Sequence, residues 1–181
     1  MEAYVFFAEG FEELEALSPV DILRRGGITV TMVSVTGKLQ VKGANGISVI
    51  ADKLFEQCTY DNASLLLIPG GMPGTTNLEA HGKLKEAIAE HVSKGKLMAA
   101  ICAAPRILGK MGLLKGKNAT CYPGNEQYLE GATIVPAPVV VDGNIVTAKG
   151  VGCAVEFALA LVKILKSEND AKNLAARIMF V

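Results

Sequence analysis

Histidine and cysteine are scarce in this chain, neither sign of charge is in excess, and no long apolar run occurs. Each deficit removes a class of function. There are 2 histidines, His81 and His91, and 4 cysteines, Cys58, Cys102, Cys121 and Cys153, with no short repeated spacing among them. Zinc sites and disulfide frameworks both depend on such spacing, so no metal site is expected and the cysteines point to a reducing cytoplasm. Lys plus Arg and Asp plus Glu each number 18, a formal net charge of 0. No basic face is implied for nucleic acid, and no acidic tail for a basic partner. No stretch approaches the roughly 20 apolar residues of a membrane span. Met1 leads straight into an apolar strand, with no secretory leader pattern before it. Neither a membrane partner nor a cofactor is expected.

What is present is a chain of 181 residues, 50% hydrophobic, long enough for one domain over 1–181 with a sizeable core. Short apolar runs alternate with helical patterns. Ala3–Ala8 reads as a strand, followed by an acidic helix from about Glu12 to Arg25 in which Pro19 marks a restart or kink. Ile28–Val35 is β-rich. Gln40-Val41 and Ile47–Ala51 flank Asn45-Gly46 as a hairpin, a pair suited to a type I′ turn. Leu65–Ile68 is a buried strand ending in Pro69-Gly70-Gly71, and a helix runs from about Gly82 to Lys94. Leu97–Ile101 is the next strand, followed by a helix to about Gly109 or Gly112. Strands at Ile134–Val135, Val139–Val141 and Ile145–Thr147 precede a long helix after Gly150 and a last helix around Ala171–Met179. Near-continuous apolar strands separated by helices predict a mostly parallel sheet covered on both faces, an α/β three-layer sandwich.

In such folds ligands bind beyond the carboxyl ends of the strands. Glu9–Glu15, Pro69–Pro73 and Cys102–Ala104 all meet that condition. Cys102 follows an apolar strand and precedes small residues and Pro105, the grammar of a sharp strand-to-helix turn. A sulfur over a helix start can have its pKa lowered from ~8.5 to between ~3.5 and ~7.5, which would make it a reactive thiolate. The alternative is a small apolar residue filling a tight turn. Gly70 and Gly71 either offer unshielded N–H groups for an oxyanion or serve a turn that needs φ > 0. Glu9, Glu12, Glu13 and Glu15 are mostly solvated helix-start acids, one of which turns inward beside the sulfur; composition does not say which.

These residues resemble the ThiJ/PfpI superfamily, in particular its protein-deglycase branch. The resemblance spans nearly the whole chain. It is carried by Glu12-Glu13-Leu14-Glu15 with Pro19-Val20-Asp21-Ile22-Leu23-Arg24-Arg25-Gly26-Gly27, by Leu67-Ile68-Pro69-Gly70-Gly71, by Ala99-Ala100-Ile101-Cys102-Ala103-Ala104-Pro105, and by Gly150–Ala160. It implies a flavodoxin-like (class I glutamine amidotransferase-like) fold, with Cys102 as nucleophile and Glu15 as its protonated partner. It implies an anion pocket formed by backbone groups of Gly70, Gly71 and Ala103. It also implies a homodimer with Asp21 and Arg25 near the interface. Where the branch carries a histidine, this chain has Cys121-Tyr122-Pro123. Tyr122 is an auxiliary hydrogen-bond donor, but a phenol is a poor proton acceptor at neutral pH. Cys58, Cys121 and Cys153 read as structural, with Cys121 a candidate second thiol; His81 and His91 read as surface residues.

Three functions follow. The first is a cofactor-independent glyoxalase or deglycase acting on small reactive carbonyls or glycated substrates. The second is an oxidative-stress sensor or chaperone that works through oxidation of Cys102. The third is an amidase or peptidase-like hydrolase, ranked last because Ala103 stands where the peptidase-like members carry histidine.

Overall fold

The computed structural model describes residues 1–180. In chain order the elements are β1 (Glu2–Phe7), α1 (Glu13–Arg25), β2 (Thr29–Ser34), β3 (Gln40–Lys42), β4 (Ser48–Ile50), β5 (Lys53–Leu54), β6 (Ala63–Ile68), α2 (Gly74–Ala80) and α3 (Gly82–Ser93). They continue with β7 (Leu97–Ile101), α4 (Pro105–Lys110), β8 (Asn118–Ala119), β9 (Thr133–Ile134), β10 (Val139–Asp142), β11 (Ile145–Ala148), α5 (Ala154–Leu165) and α6 (Glu168–Arg177).

The central sheet runs β10-β11-β7-β6-β1-β2-β5, parallel except for β10 against β11. β1 pairs in parallel with β2 on one side and β6 on the other, so the chain reverses its direction of travel across the sheet there. That reversal opens a crevice beyond the carboxyl ends of β1 and β6. β1 is apolar throughout because both its faces are covered. Ala3, Val5 and Phe7 pack with α1, α5 and α6, while Tyr4, Phe6 and Ala8 pack with α2, α3 and α4. This is the expected flavodoxin-like sandwich.

The structure corrects several local expectations. Pro19 lies inside an unbroken α1. The helix packs closely along α5, and that burial outweighs the ~3 kcal/mol an interior proline typically costs. The hairpin forms as β3 and β4 in antiparallel register, Val41 opposite Val49. Its turn is not type I′, because Gly46 has φ +88° while Asn45 is not left-handed. Asn45 instead gives its backbone N–H and its side-chain amide to Glu13, at 2.7 and 2.8 Å, and the Ile47 N–H joins them at 3.3 Å. His91 is buried, not on the surface, and its Nε2 lies 2.9 Å from the Leu97 carbonyl. His81 caps α3 by accepting the Leu84 N–H at 3.1 Å, and its ring packs on Phe55. Helix α2 and strands β5 and β8 carried no sequence signal strong enough to announce them.

Glu13 is therefore a buried clasp between α1 and the hairpin. Burial raises its pKa, but the Asn45 amide and the surrounding N–H groups outweigh that, and its carboxyl sits below the usual range. Glu13→Ala removes the charged acceptor shared by these part-buried donors and is expected to cost about 1–3 kcal/mol in urea unfolding. A loss below about 0.5 kcal/mol would show that the clasp is not structural.

Candidate functional site

β7 delivers Cys102 to the crevice and its neighbours hold it there. Its N–H donates to the Ala148 carbonyl and its own carbonyl accepts the Tyr122 N–H, both at 2.8 Å. Between these clamps Cys102 adopts φ +65°, the left-handed region. For an L-residue with a side chain this costs on the order of 1 kcal/mol and persists only where the surroundings impose it. Pro105 then opens α4 at its first position. The turn throws the sulfur toward the loop after β6.

Gly70 in that loop is fixed by proximity. A Cβ there would lie 2.5 Å from Glu15 Oε2 and 2.7 Å from Cys102 Cβ. Gly71 meets the other condition, with φ +90°. Of the N–H groups expected to line the pocket, those of Gly71 and Ala103 are on the side of the Cys102 sulfur and favour its thiolate. The Gly70 N–H goes instead to Glu15 Oε2, at 3.1 Å.

Four acids crowd the start of α1 and the structure gives each a different place. Glu9 is exposed. Glu12 caps the helix, accepting the Glu15 N–H at 2.7 Å. Glu13 clasps the hairpin. Glu15 is 1% exposed and meets the Cys102 thiol, the Gly70 N–H and the Val151 N–H. Glu15 alone lies beside the sulfur, whereas Glu13, expected among the solvated acids, is buried against the hairpin.

Burial pushes Glu15 up to about 7, against the lowering effect of the thiol and the two N–H groups. Burial, and then the Glu15 charge, raise the Cys102 thiol well above its ordinary range, opposed by the Ala103 and Gly71 N–H groups. The expectation of a depressed thiol pKa is thus corrected for a thiol facing ionised Glu15. Helix α4 has only 6 residues, and the low-dielectric crevice outweighs what it offers an anion. The two acids are a coupled pair. One proton leaves near neutrality, and the second is held because two negative charges cannot share the crevice.

Cys102 opens into a cavity of about 410 Å³ that also touches Gly71, Ala103, Arg106, Tyr122 and Tyr128. Tyr122 is 54% exposed and also borders a second, larger cavity of about 610 Å³ along Pro138, Val151 and Cys153. Cys121 is buried in the apolar layer of α2, α3 and α4, whereas Cys102 packs against the opposite layer. All four cysteines are free, with burial raising Cys58 and pushing Cys121 up to about 11. Asp21 and Arg25 form an exposed ion pair at 2.7 Å, outside the crevice. Among the described residues no group of His, Cys, Asp and Glu could hold a metal ion, and no helix is long and apolar enough to cross a membrane. Arg106, Tyr128 and the Val151 N–H were absent from the sequence reading. Arg106 alone carried a signal, one helical turn after Cys102.

The raised Glu15 ties folding to pH. Its folded pKa of about 7 exceeds the ordinary 4.5, so its contribution is full below pH 4.5 and is lost as pH rises through 7. The difference integrates to about 3 kcal/mol. Glu15→Gln removes this titration, so the fall in unfolding free energy between these pH values should flatten relative to wild type; parallel profiles would sink the assignment.

Comparison with known proteins identifies the family. The DJ-1/PfpI family model matches residues 1–164. Protein DJ-1 homolog B of Arabidopsis thaliana is 38% identical over 174 residues, 95% of this chain but 40% of that protein, and homolog A is matched over 45% of its length. The chain thus spans less than half the length of these plant relatives. Protein dj-1beta of Drosophila melanogaster is 33% identical over 98% of this chain and 96% of its own. The structure of oxidized Toxoplasma gondii DJ-1 superposes with a TM-score of 0.96 at 36% identity, covering 99% of this chain and 98% of that one. An elbow cysteine, a buried glutamate and a glycine loop converge at one sheet crevice, and the chain that builds them belongs to the DJ-1/PfpI family.

Proposed function

We propose that residues 1–181 form one ThiJ/PfpI-like domain that acts on small reactive carbonyl compounds through Cys102, with Glu15 as its proton partner. The observation that carries this reading is that both side chains crowd Gly70, where a Cβ would lie 2.5 Å from Glu15 Oε2 and 3.1 Å from Cys102 Sγ, which brings the carboxyl and the thiol within reach of one shared proton. The reactive form holds that proton on Glu15, which donates it to the sulfur, while the Gly71 and Ala103 N–H groups support the thiolate. The thiolate adds to an aldehyde carbon and the new alkoxide takes the Glu15 proton, giving a hemithioacetal. With methylglyoxal, the Glu15 carboxylate then moves the proton on that carbon to the neighbouring carbonyl carbon, and the hydroxyl proton passes to the oxygen on that neighbouring carbon. The resulting thioester is hydrolysed by water to lactate, with no outside oxidant or reductant. Tyr122 stands where a proton-accepting histidine would assist, so turnover is slow.

A second reading has its own support. The N–H groups of Gly71 and Ala103 and the Glu15 carboxyl surround the sulfur with donors, a setting that suits a sulfinate produced by peroxide. Peptidase chemistry lacks its base, since neither His81 nor His91 lines the Cys102 cavity. Assembly as a homodimer is favoured by exposed apolar Leu14, on the helix that carries Asp21 and Arg25, and by exposed Ile47 and Ile50 of the hairpin that Glu13 clasps.

The pH dependence of iodoacetamide alkylation at Cys102, followed by peptide mass, separates the two roles of Glu15. If Glu15 donates its proton to a thiolate, Glu15→Leu raises the apparent pKa by about one unit. If it faces the thiol as a carboxylate, the same change lowers the value, and the proposed partnership fails. Lactate formation from methylglyoxal should be slow but measurable and lost in Cys102→Ser; equal rates in the two proteins reject the enzyme. Loss of lactate formation together with clean addition of two oxygens at Cys102 under peroxide would select the sensor.

A further inference from the structure

Arg106 is the only charged side chain besides Cys102 bordering the cavity over the sulfur, among the described residues. It rises from α4 one turn after Cys102, and its side chain is only 14% exposed. Three contacts hold it. Nε donates to Glu79 Oε2 at 2.9 Å, while Nη2 lies 2.8 Å from the same oxygen and donates to Thr76 Oγ1 at 3.1 Å. Its guanidinium carbon sits 5.8 Å from the centre of the Tyr128 ring. Nη1 has no protein partner among the described residues.

Glu79 does not neutralise this corner. Its carboxylate is shared between Arg106 and Lys110, and the two cations outweigh its burial to hold its pKa below the usual range. The group therefore carries one net positive charge, and Lys110 also lies 4.9 Å from the Tyr128 ring centre. A guanidinium fixed by two side chains and a ring has already lost its rotamer freedom, so little ordering cost remains when it pairs with an anion. Carboxylates are a natural match for its planar fork. A neutral carbonyl compound would leave this charge unused.

We propose that Arg106 makes the cavity selective for small carbonyl compounds bearing a carboxylate beside the carbonyl carbon, glyoxylate being the simplest. The guanidinium pairs with the carboxylate and the carbonyl faces Cys102. This rests on the carbonyl reading above for the chemistry at sulfur, but binding itself does not require a thiolate.

The test therefore begins in Cys102→Ser protein, with calorimetric titration of glyoxylate. Adding Arg106→Gln should weaken binding at least tenfold and Arg106→Lys by less, whereas Glu79→Gln, which leaves Arg106 folded but less neutralised, should tighten it. Equal affinity across these proteins, or no glyoxylate binding at millimolar concentration, overturns the proposal. In protein that keeps Cys102, the ratio of alkylation rates for anionic iodoacetate and neutral iodoacetamide should fall about tenfold with Arg106→Gln. An unchanged ratio counts equally against it. If neither reagent modifies Cys102 while glyoxylate binding still depends on Arg106, the thiol chemistry fails and the anion site stands.

Discussion

The contact between Glu15 and Cys102 constrains everything around it. Two ionisable groups face each other in a crevice that strips most water from them, so burial raises both, and the Glu15 charge raises the cost of ionising the thiol further. Holding the pair requires a residue without a side chain at Gly70, a backbone N–H from each of two loops for the carboxyl, and a left-handed cysteine at the end of β7. The local cost is met by the sheet. β6 and β7 are buried on both faces and fix the loops at their ends, while β11 and the loop before Tyr122 grip the Cys102 backbone.

Two glutamates two positions apart on α1 show how surroundings decide chemistry. Both are nearly inaccessible. Glu13 faces a hairpin turn whose N–H groups and Asn45 amide favour a carboxylate, and it serves as a structural anion. Glu15 faces a sulfur and an apolar crevice with fewer donors, and it holds its proton to near neutrality. The same residue type on the same helix start has its pKa lowered in one place and raised in the other.

The cavity is electrostatically lopsided. The Glu15–Cys102 pair carries the negative charge on the sheet side, and the Arg106–Lys110–Glu79 group carries a net positive charge on the α4 side. Tyr122 contributes shape and an exposed phenol but no base.

The order of strands and helices was legible because burial on both faces leaves unbroken apolar runs, and the elbow was legible because strand, cysteine, small residues and proline are adjacent in the chain. Family motifs singled out Glu15, Cys102 and the glycine loop. Where the sequence failed, the deciding contact lay far along the chain. Asn45-Gly46 did not make its local turn because Glu13 competes for its donors, and His91 is buried because α3 lays it against β7. Pro19 did not break α1 because packing along α5 holds the helix. Arg106 gained meaning only when folding brought Glu79, Thr76 and Tyr128 around it. The sequence by itself determined the fold class and which loops reach the crevice, since both follow from local pattern and strand termini. Only the tertiary structure decided their protonation and partners, because those depend on burial and on charges supplied by distant segments.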